Sequence, residues 1–277
     1  MKVLIPAAAF LAATIFAAPP AGRARTTPQP RLRRSVKPSE AIENRVRDEF
    51  SRVEEILGRL ERGNLFASPY VVSAAYYHDG FLDGYPVERQ DADPSRRIIA
   101  HAARLLTPER KARYFQLVRE SSRAGPSPAI PSRFVAPVSN ARFGKSRRVH
   151  QYALDLFNPH DSPVRSATRG IVMLAEGSWK RGDPLSSSSQ GGGNSVIVFD
   201  PDAGRFCRYC HLATVTVVAG TPVEAGQVIG TVGNSGVAAS RRGHGEHLHF
   251  EINEWDGNRT RSLSNSELRA MIAAAVP

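Results

Sequence analysis

"GHGEHLHFEIN", residues 243–253, packs three histidines into six positions and follows them with a glutamate. From His247 to Ile252 the residues alternate polar and apolar, the period-two pattern of a half-buried strand. Successive strand side chains point to opposite faces. Leu248, Phe250 and Ile252 therefore face a core, and His247, His249 and Glu251 share the other face. Two imidazoles placed this way can reach one ion, or one can hold it while the other meets a substrate. A carboxylate two residues on can orient a ligand histidine from behind. Taken alone, the stretch also fits a plain polar strand face in water.

The surroundings favour chemistry. Of the eight histidines, six lie from residue 150 onward: His150, His160, His211, His244, His247 and His249. From residue 134, short Val-rich segments alternate with Gly-rich turns: "RFVAPV", "YALDLF", "GIVMLAE", "NSVIVFD", "FCRYCHL", "VTVVAG", "QVIGTVG", "HLHFEIN". Such spacing predicts a mainly antiparallel β domain. Asp155 sits inside the apolar strand "YALDLF", where a carboxylate needs a partner. Histidine and carboxylate suit a catalytic zinc, which takes three protein ligands and keeps one position for water. Spare histidines can then serve as acid, base or oxyanion stabiliser. "SSSSQGGGN", residues 186–194, reads as a flexible loop between strands.

Ahead of the β region the pattern is helical. Ser39 is a candidate N-cap, and Ile42, Val46, Phe50, Val53, Ile56, Leu57 and Leu60 recur at helical spacing. Three further helices are predicted, within 68–84, 94–106 and 107–122, the last with Thr107 as cap and Pro108 in first position. His78 and His101 stand alone here and read as surface or satisfied residues. Ser264 and Glu267 form a capping box for a short C-terminal helix.

The division expected is a signal peptide over 1–24, a linker over 25–37, a helical domain over 38–121, a Pro-rich linker over 122–133, a β domain over 134–262 and a helix over 263–277. The first segment pairs Lys2 with a short apolar run, a secretory pattern. It is short for a membrane span, which needs ~20 residues, and no later segment is apolar enough. A periplasmic or secreted location follows. The 277 residues carry a formal charge of +11, which favours anionic partners such as wall polymer. No nucleic-acid signature is present. Cys207 and Cys210 are three strand steps apart, ~10 Å and on opposite faces, beyond the ~7 Å of a disulfide. They read as structural thiols.

The stretches "HQYALDLFNPHDSPVRSATRGIV", "GNSVIVFDPDAGRFCRYCHL" and "VVAGTPVEAGQVIGTVGNSGVAASRRGHGEHLHFEIN", with "RFVAPVSNARFG" before them, resemble the catalytic domain of the lysostaphin-type zinc endopeptidases. The Tyr-x-His-Leu and His-Leu-His-Phe-Glu endings are its specific marks. The resemblance implies an α+β chain: a small helical part, then a β domain of that peptidase fold with its duplicated hybrid motif. It implies one Zn2+ per chain held by His150, Asp155 and His249, with His211 and His247 as catalytic histidines. The implied substrate is the peptidoglycan stem peptide or cross-bridge. One departure is an extra residue between His150 and Asp155, where the family has three; His160 is then a spare candidate ligand. His244 reads as a loop histidine at the site mouth. A zinc-free relative that binds wall or activates another hydrolase is the alternative. The helical domain matches no known pattern; it is expected to restrict the groove, to recruit a regulatory envelope protein or to act as a spacer.

Overall fold

The computed structural model describes residues 39–77, 93–123, 133–140, 142–144, 151–257 and 259–275. The expected signal peptide and first linker, His78, most of the Pro-rich linker and His150 lie outside these residues. The described residues all belong to one compact unit.

Four helices come first: α1 (Glu40–Gly58), α2 (Pro69–Tyr76), α3 (Pro94–Leu105) and α4 (Pro108–Arg123). Their starts follow capping chemistry. The side chains of Ser39, Ser68 and Asp93 accept backbone N–H groups of the first turns, and Pro69 and Pro94 occupy early positions where no N–H is needed. Thr107 caps α4 through the Arg110 N–H. His101 stacks on Phe50 and meets Glu54, so it is a satisfied histidine.

The β region contains β1 (Arg142–Phe143), β2 (Leu154–Phe157), β3 (Pro163–Arg165), β4 (Gly170–Glu176), β5 (Ser195–Asp200), β6 (Arg205–Cys210), β7 (Leu212–Val215), β8 (Pro222–Val223), β9 (Val228–Val232), β10 (His247–Trp255) and β11 (Thr260–Ser262), followed by α5 (Asn265–Ala275). The larger sheet runs β1-β2-β10-β6-β5-β4-β8, with β11 also on β10; a smaller sheet runs β3-β9-β7. All pairings given for these strands are antiparallel. The α+β expectation is met, with helices before the sheets and a short one after.

Two predicted strands differ. "RFVAPV" forms no regular strand; it makes isolated bonds to the 165–167 segment through Val135 and Pro137. Pro137 has no N–H to continue a ladder. "VTVVAG" pairs only as far as Val215. Thr216 then bonds Ile229 of the small sheet while Gly220 bonds Val172 of the large one. The segment crosses between sheets and cannot stay in either ladder.

The large sheet buries both faces. On one, Leu154, Leu156, Val196, Val198, Tyr209, Leu248, Phe250 and Ile252 pack with the small sheet and with Leu268 and Ile272 of α5. On the other, Ile171, Met173, Ile197, Phe199, Phe206 and Trp255 share a core with the helices, including Val53, Tyr76, Ile98, Tyr114 and Phe115. The helices therefore do not stand apart as a separate body held off by a linker. Strand register explains where they dock. Across the sheet, Asp155, His249, Cys210, Ser195 and Glu176 lie opposite one another in a row. Two residues further along β10 the row is Glu251, Arg208, Ile197 and Leu174; two more, it is Asn253, Phe206, Phe199 and Ile171. The face grades from polar to apolar, and the helices cover the apolar end.

Candidate active site

β10 and β2 bring the central pair together. His249 lies opposite Asp155 in the ladder, and His249 Nδ1 is 2.9 Å from Asp155 Oδ1. The other ring nitrogen, Nε2, lies 2.8 Å from Glu251 Oε1. A carboxylate faces each nitrogen, so the ring is doubly protonated in this arrangement. Burial opposes the charge, but the Asp155 and Glu251 carboxylates override it and lift the His249 pKa to about 9. Partial burial opposes the charge on Glu251, yet the Arg208 guanidinium and the His249 ring hold its carboxyl well below the usual range.

Two further rings close on this pair. His211 lies between β6 and β7 with its ring centroid 4.8 Å from that of His247 and 5.5 Å from that of His249. Its φ of 65° is in the left-handed region, sparsely used by residues with a Cβ. Strain of this kind persists only where surrounding bonds over-determine it. Here the His211 N–H donates to Gly192 O at 2.8 Å, and Nδ1 lies 2.8 Å from Ser235 O. Gly193 and Gly236, both at positive φ, let these two loops touch backbone to backbone; a Cβ on Gly193 would fall 2.4 Å from Gly236 N.

A carbonyl can only accept, so Nδ1 of His211 carries the proton and Nε2 carries the lone pair. His247 repeats the arrangement, with Nδ1 3.0 Å from Gly245 O and Nε2 3.9 Å from Asp155 Oδ1. Burial lowers the pKa of both rings, that of His211 to about 3. Both are neutral at pH 7 and each offers an Nε2 lone pair.

Of the candidates from sequence, Asp155, His211, His247 and His249 converge. His244 is adjacent, its ring 6.3 Å from His247. His160 is exposed in a turn and pairs with Asp161. Among the described residues no three metal-type side chains form a complete cation site; the third candidate ligand, His150, is outside them. The residues that follow it are tied down, since Asn265 of α5 bonds Gln151 O and Ala153 O. The donor set present fits zinc. An imidazole and a carboxylate suit it, and the second carboxylate on His249 Nε2 is the usual partner of a metal-bound histidine.

The sequence analysis does not identify Arg208 or Tyr76. Arg208 Nη1 lies 3.4 Å from Glu251 Oε2, and Tyr76 Oη donates to the same oxygen at 2.8 Å. An arginine inside "FCRYC" was a signal of the same kind as Asp155 inside "YALDLF": a charge in an apolar strand needs a partner. The serine-rich loop is also more ordered than its composition suggests. Glu176 accepts from the Ser188 N–H at 2.6 Å and from the hydroxyls of Ser187, Ser188 and Ser195. Cys207 and Cys210 are buried free thiols.

Residues 149–262 match the model of peptidase family M23. The glycyl-glycine endopeptidase ALE-1 of Staphylococcus capitis is 30% identical over 117 residues, 42% of this chain and 26% of that protein. Lysostaphin of Staphylococcus staphylolyticus is 31% identical over 100 residues, 36% of this chain and 18% of that protein. The structure of lysostaphin from Staphylococcus simulans aligns over 52% of this chain and 55% of that one, at 22% identity and a TM-score of 0.38. The chain thus spans well under half the length of the curated relatives it matches, and the likeness to peptidase family M23 is confined to residues 149–262.

Proposed function

We propose that the chain is a zinc-dependent endopeptidase that hydrolyses peptide cross-links of peptidoglycan. The observation that carries this reading is the facing pair, His249 Nδ1 and Asp155 Oδ1, with two Nδ1-anchored histidines beside it. His150, Asp155 and His249 would hold the ion. Asp155 and Glu251 together call for positive charge at the His249 ring; a proton on Nδ1 supplies it, and a cation can replace that proton. Zinc bound there would lower the pKa of water and polarise the scissile carbonyl.

The remaining steps belong to the protein. His211 and His247, each locked in one tautomer by a backbone carbonyl, present unprotonated Nε2 atoms. One takes a proton from the attacking water and returns it to the departing amine. The other would take a proton from solvent on its Nε2 and, so charged, stabilise charge that develops on the carbonyl oxygen. The strained backbone at His211 fixes its ring in advance, so no reorganisation is needed when charge develops. Relatives that cut glycyl-glycine bonds and a positive net charge suited to an anionic polymer support peptidoglycan as substrate. A secreted or periplasmic location suits that substrate, and among the described residues no helix is long and apolar enough to cross a membrane.

The test is digestion of purified peptidoglycan, with mass analysis of the fragments and labelling of new amino termini. Cleavage that is lost on chelation and restored by zinc is expected. Intact cross-links after digestion with the zinc-loaded protein would sink the reading.

A further inference from the structure

The helical segment reaches the site directly. We propose that Tyr76, the last residue of α2, is a positioning residue for His249, which makes the helices part of the active-site construction. The proposal rests on the reading of His249 as a zinc ligand. One carboxylate joins the two: Glu251 Oε1 faces His249 Nε2 at 2.8 Å, and Oε2 accepts the Tyr76 hydroxyl at 2.8 Å. A carboxylate held at one oxygen can still swing; held at both, it fixes the plane of the imidazole it meets.

Tyr76 is itself held. Its ring is fully buried, and its carbonyl accepts the side-chain N–H of Asn253, two residues past Glu251 on β10, at 3.0 Å. The helix end is therefore registered to the same strand that carries His249. Arg208 completes the clamp. Its guanidinium lies over the rings of Tyr76 and Tyr77, 5.6 and 5.7 Å from their centroids. It also donates to Tyr77 Oη at 3.2 Å while approaching Glu251 Oε2 at 3.4 Å. Tyr76 and Arg208 are buried and Glu251 and Tyr77 only partly exposed, so groups in this chain re-pair poorly with water when one is removed. A metal ligand loses affinity when the group behind it is lost, by about 10- to 100-fold. The consequence is opposite to restriction of the groove or mere spacing: a weakened contact between α2 and β10 loosens the metal site.

Zinc affinity of the full chain, measured by competition with a chromophoric chelator, tests this. Tyr76→Phe, which removes one oxygen, is expected to bind zinc about tenfold more weakly than wild type. Glu251→Gln is expected to fall at least as far. Tyr114→Phe removes another buried hydroxyl of the helical segment, one that donates to Leu65 O with no link to β10; its zinc affinity is expected to match wild type. Equal affinity for Tyr76→Phe and wild type would overturn the proposal, as would an equal loss in Tyr76→Phe and Tyr114→Phe. A loss in Tyr76→Phe without one in Glu251→Gln would overturn it too. A wild-type protein that binds no zinc would instead bring down the parent reading, and this one with it.

Discussion

The two halves of β10 make opposite use of the same strand face. At its start, His247 and His249 present nitrogen atoms to a cluster of polar groups. At its end, Asn253 and Trp255 lie under the helices, with the Phe115 ring 4.7 Å from that of Trp255. The backbone is equally regular in both. What differs is the neighbours that register supplies. Opposite His249 stand Asp155 and Cys210; opposite Asn253 stands Phe206, and beyond it Phe199. The first half gathers ionisable side chains and the second apolar ones, and Glu251 stands between them.

The largest effects are expected in the first half. His249→Ala removes the ring that Asp155 and Glu251 surround and should abolish both zinc retention and hydrolysis. Zinc content after dialysis checks it; full retention would show that the strand start is not the metal site. His211→Ala should keep zinc and lose ~10²- to 10⁴-fold in kcat, the usual cost of one positioned acid/base or oxyanion donor. Near-normal turnover would remove His211 from the mechanism.

In the second half the effect should be on stability. Phe115 is buried against Phe199, Phe206 and Trp255. Phe115→Ala should cost ~3–5 kcal/mol of unfolding free energy, since a cavity of that size cannot collapse under a sheet. Denaturant unfolding measures it. A loss below ~1 kcal/mol would mean that the helices contribute little to the shared core, and the contrast between the halves would fail.

The first half was far more legible in sequence than the second. Alternation from His247 to Ile252 reports local geometry, and an aspartate among apolar residues advertises a partner, so the pairing of Asp155 with His249 could be anticipated. Caps were equally readable, because Ser39 or Ser264 acts within one turn. The link from Tyr76 to Glu251 spans 175 residues, and nothing local to "AAYYHDG" betrays it. The left-handed backbone of His211 was hidden for a related reason: two loops, around Gly192 and Ser235, impose it from outside. The serine-rich loop misled because composition measures solubility, while the half-buried Glu176 gives the serines a partner.

The smallest expected effect tests the row that holds both chemistry and packing. Cys210 lies directly opposite His249 in the ladder and shares its face, whereas Cys207 lies opposite Ile252 on the aliphatic side. Proximity alone makes Cys210 a rival zinc ligand. A thiol binds zinc as the thiolate, and with no metal bound, burial pushes the pKa of Cys210, like that of Cys207, to about 12, so zinc would have to displace a proton there that it need not displace at a carboxylate. Without a metal on them, both thiols stay protonated across the neutral range and behave as small buried hydrophobes. The double variant Cys207→Ala, Cys210→Ala should keep the zinc stoichiometry and turnover of the wild type, with a modest loss of stability from two vacated side chains. In the wild type, a thiol reagent at pH 8 should label neither cysteine until the protein unfolds. Loss of zinc from the double variant would place a sulfur in the metal site and redraw the boundary between the two halves of the face.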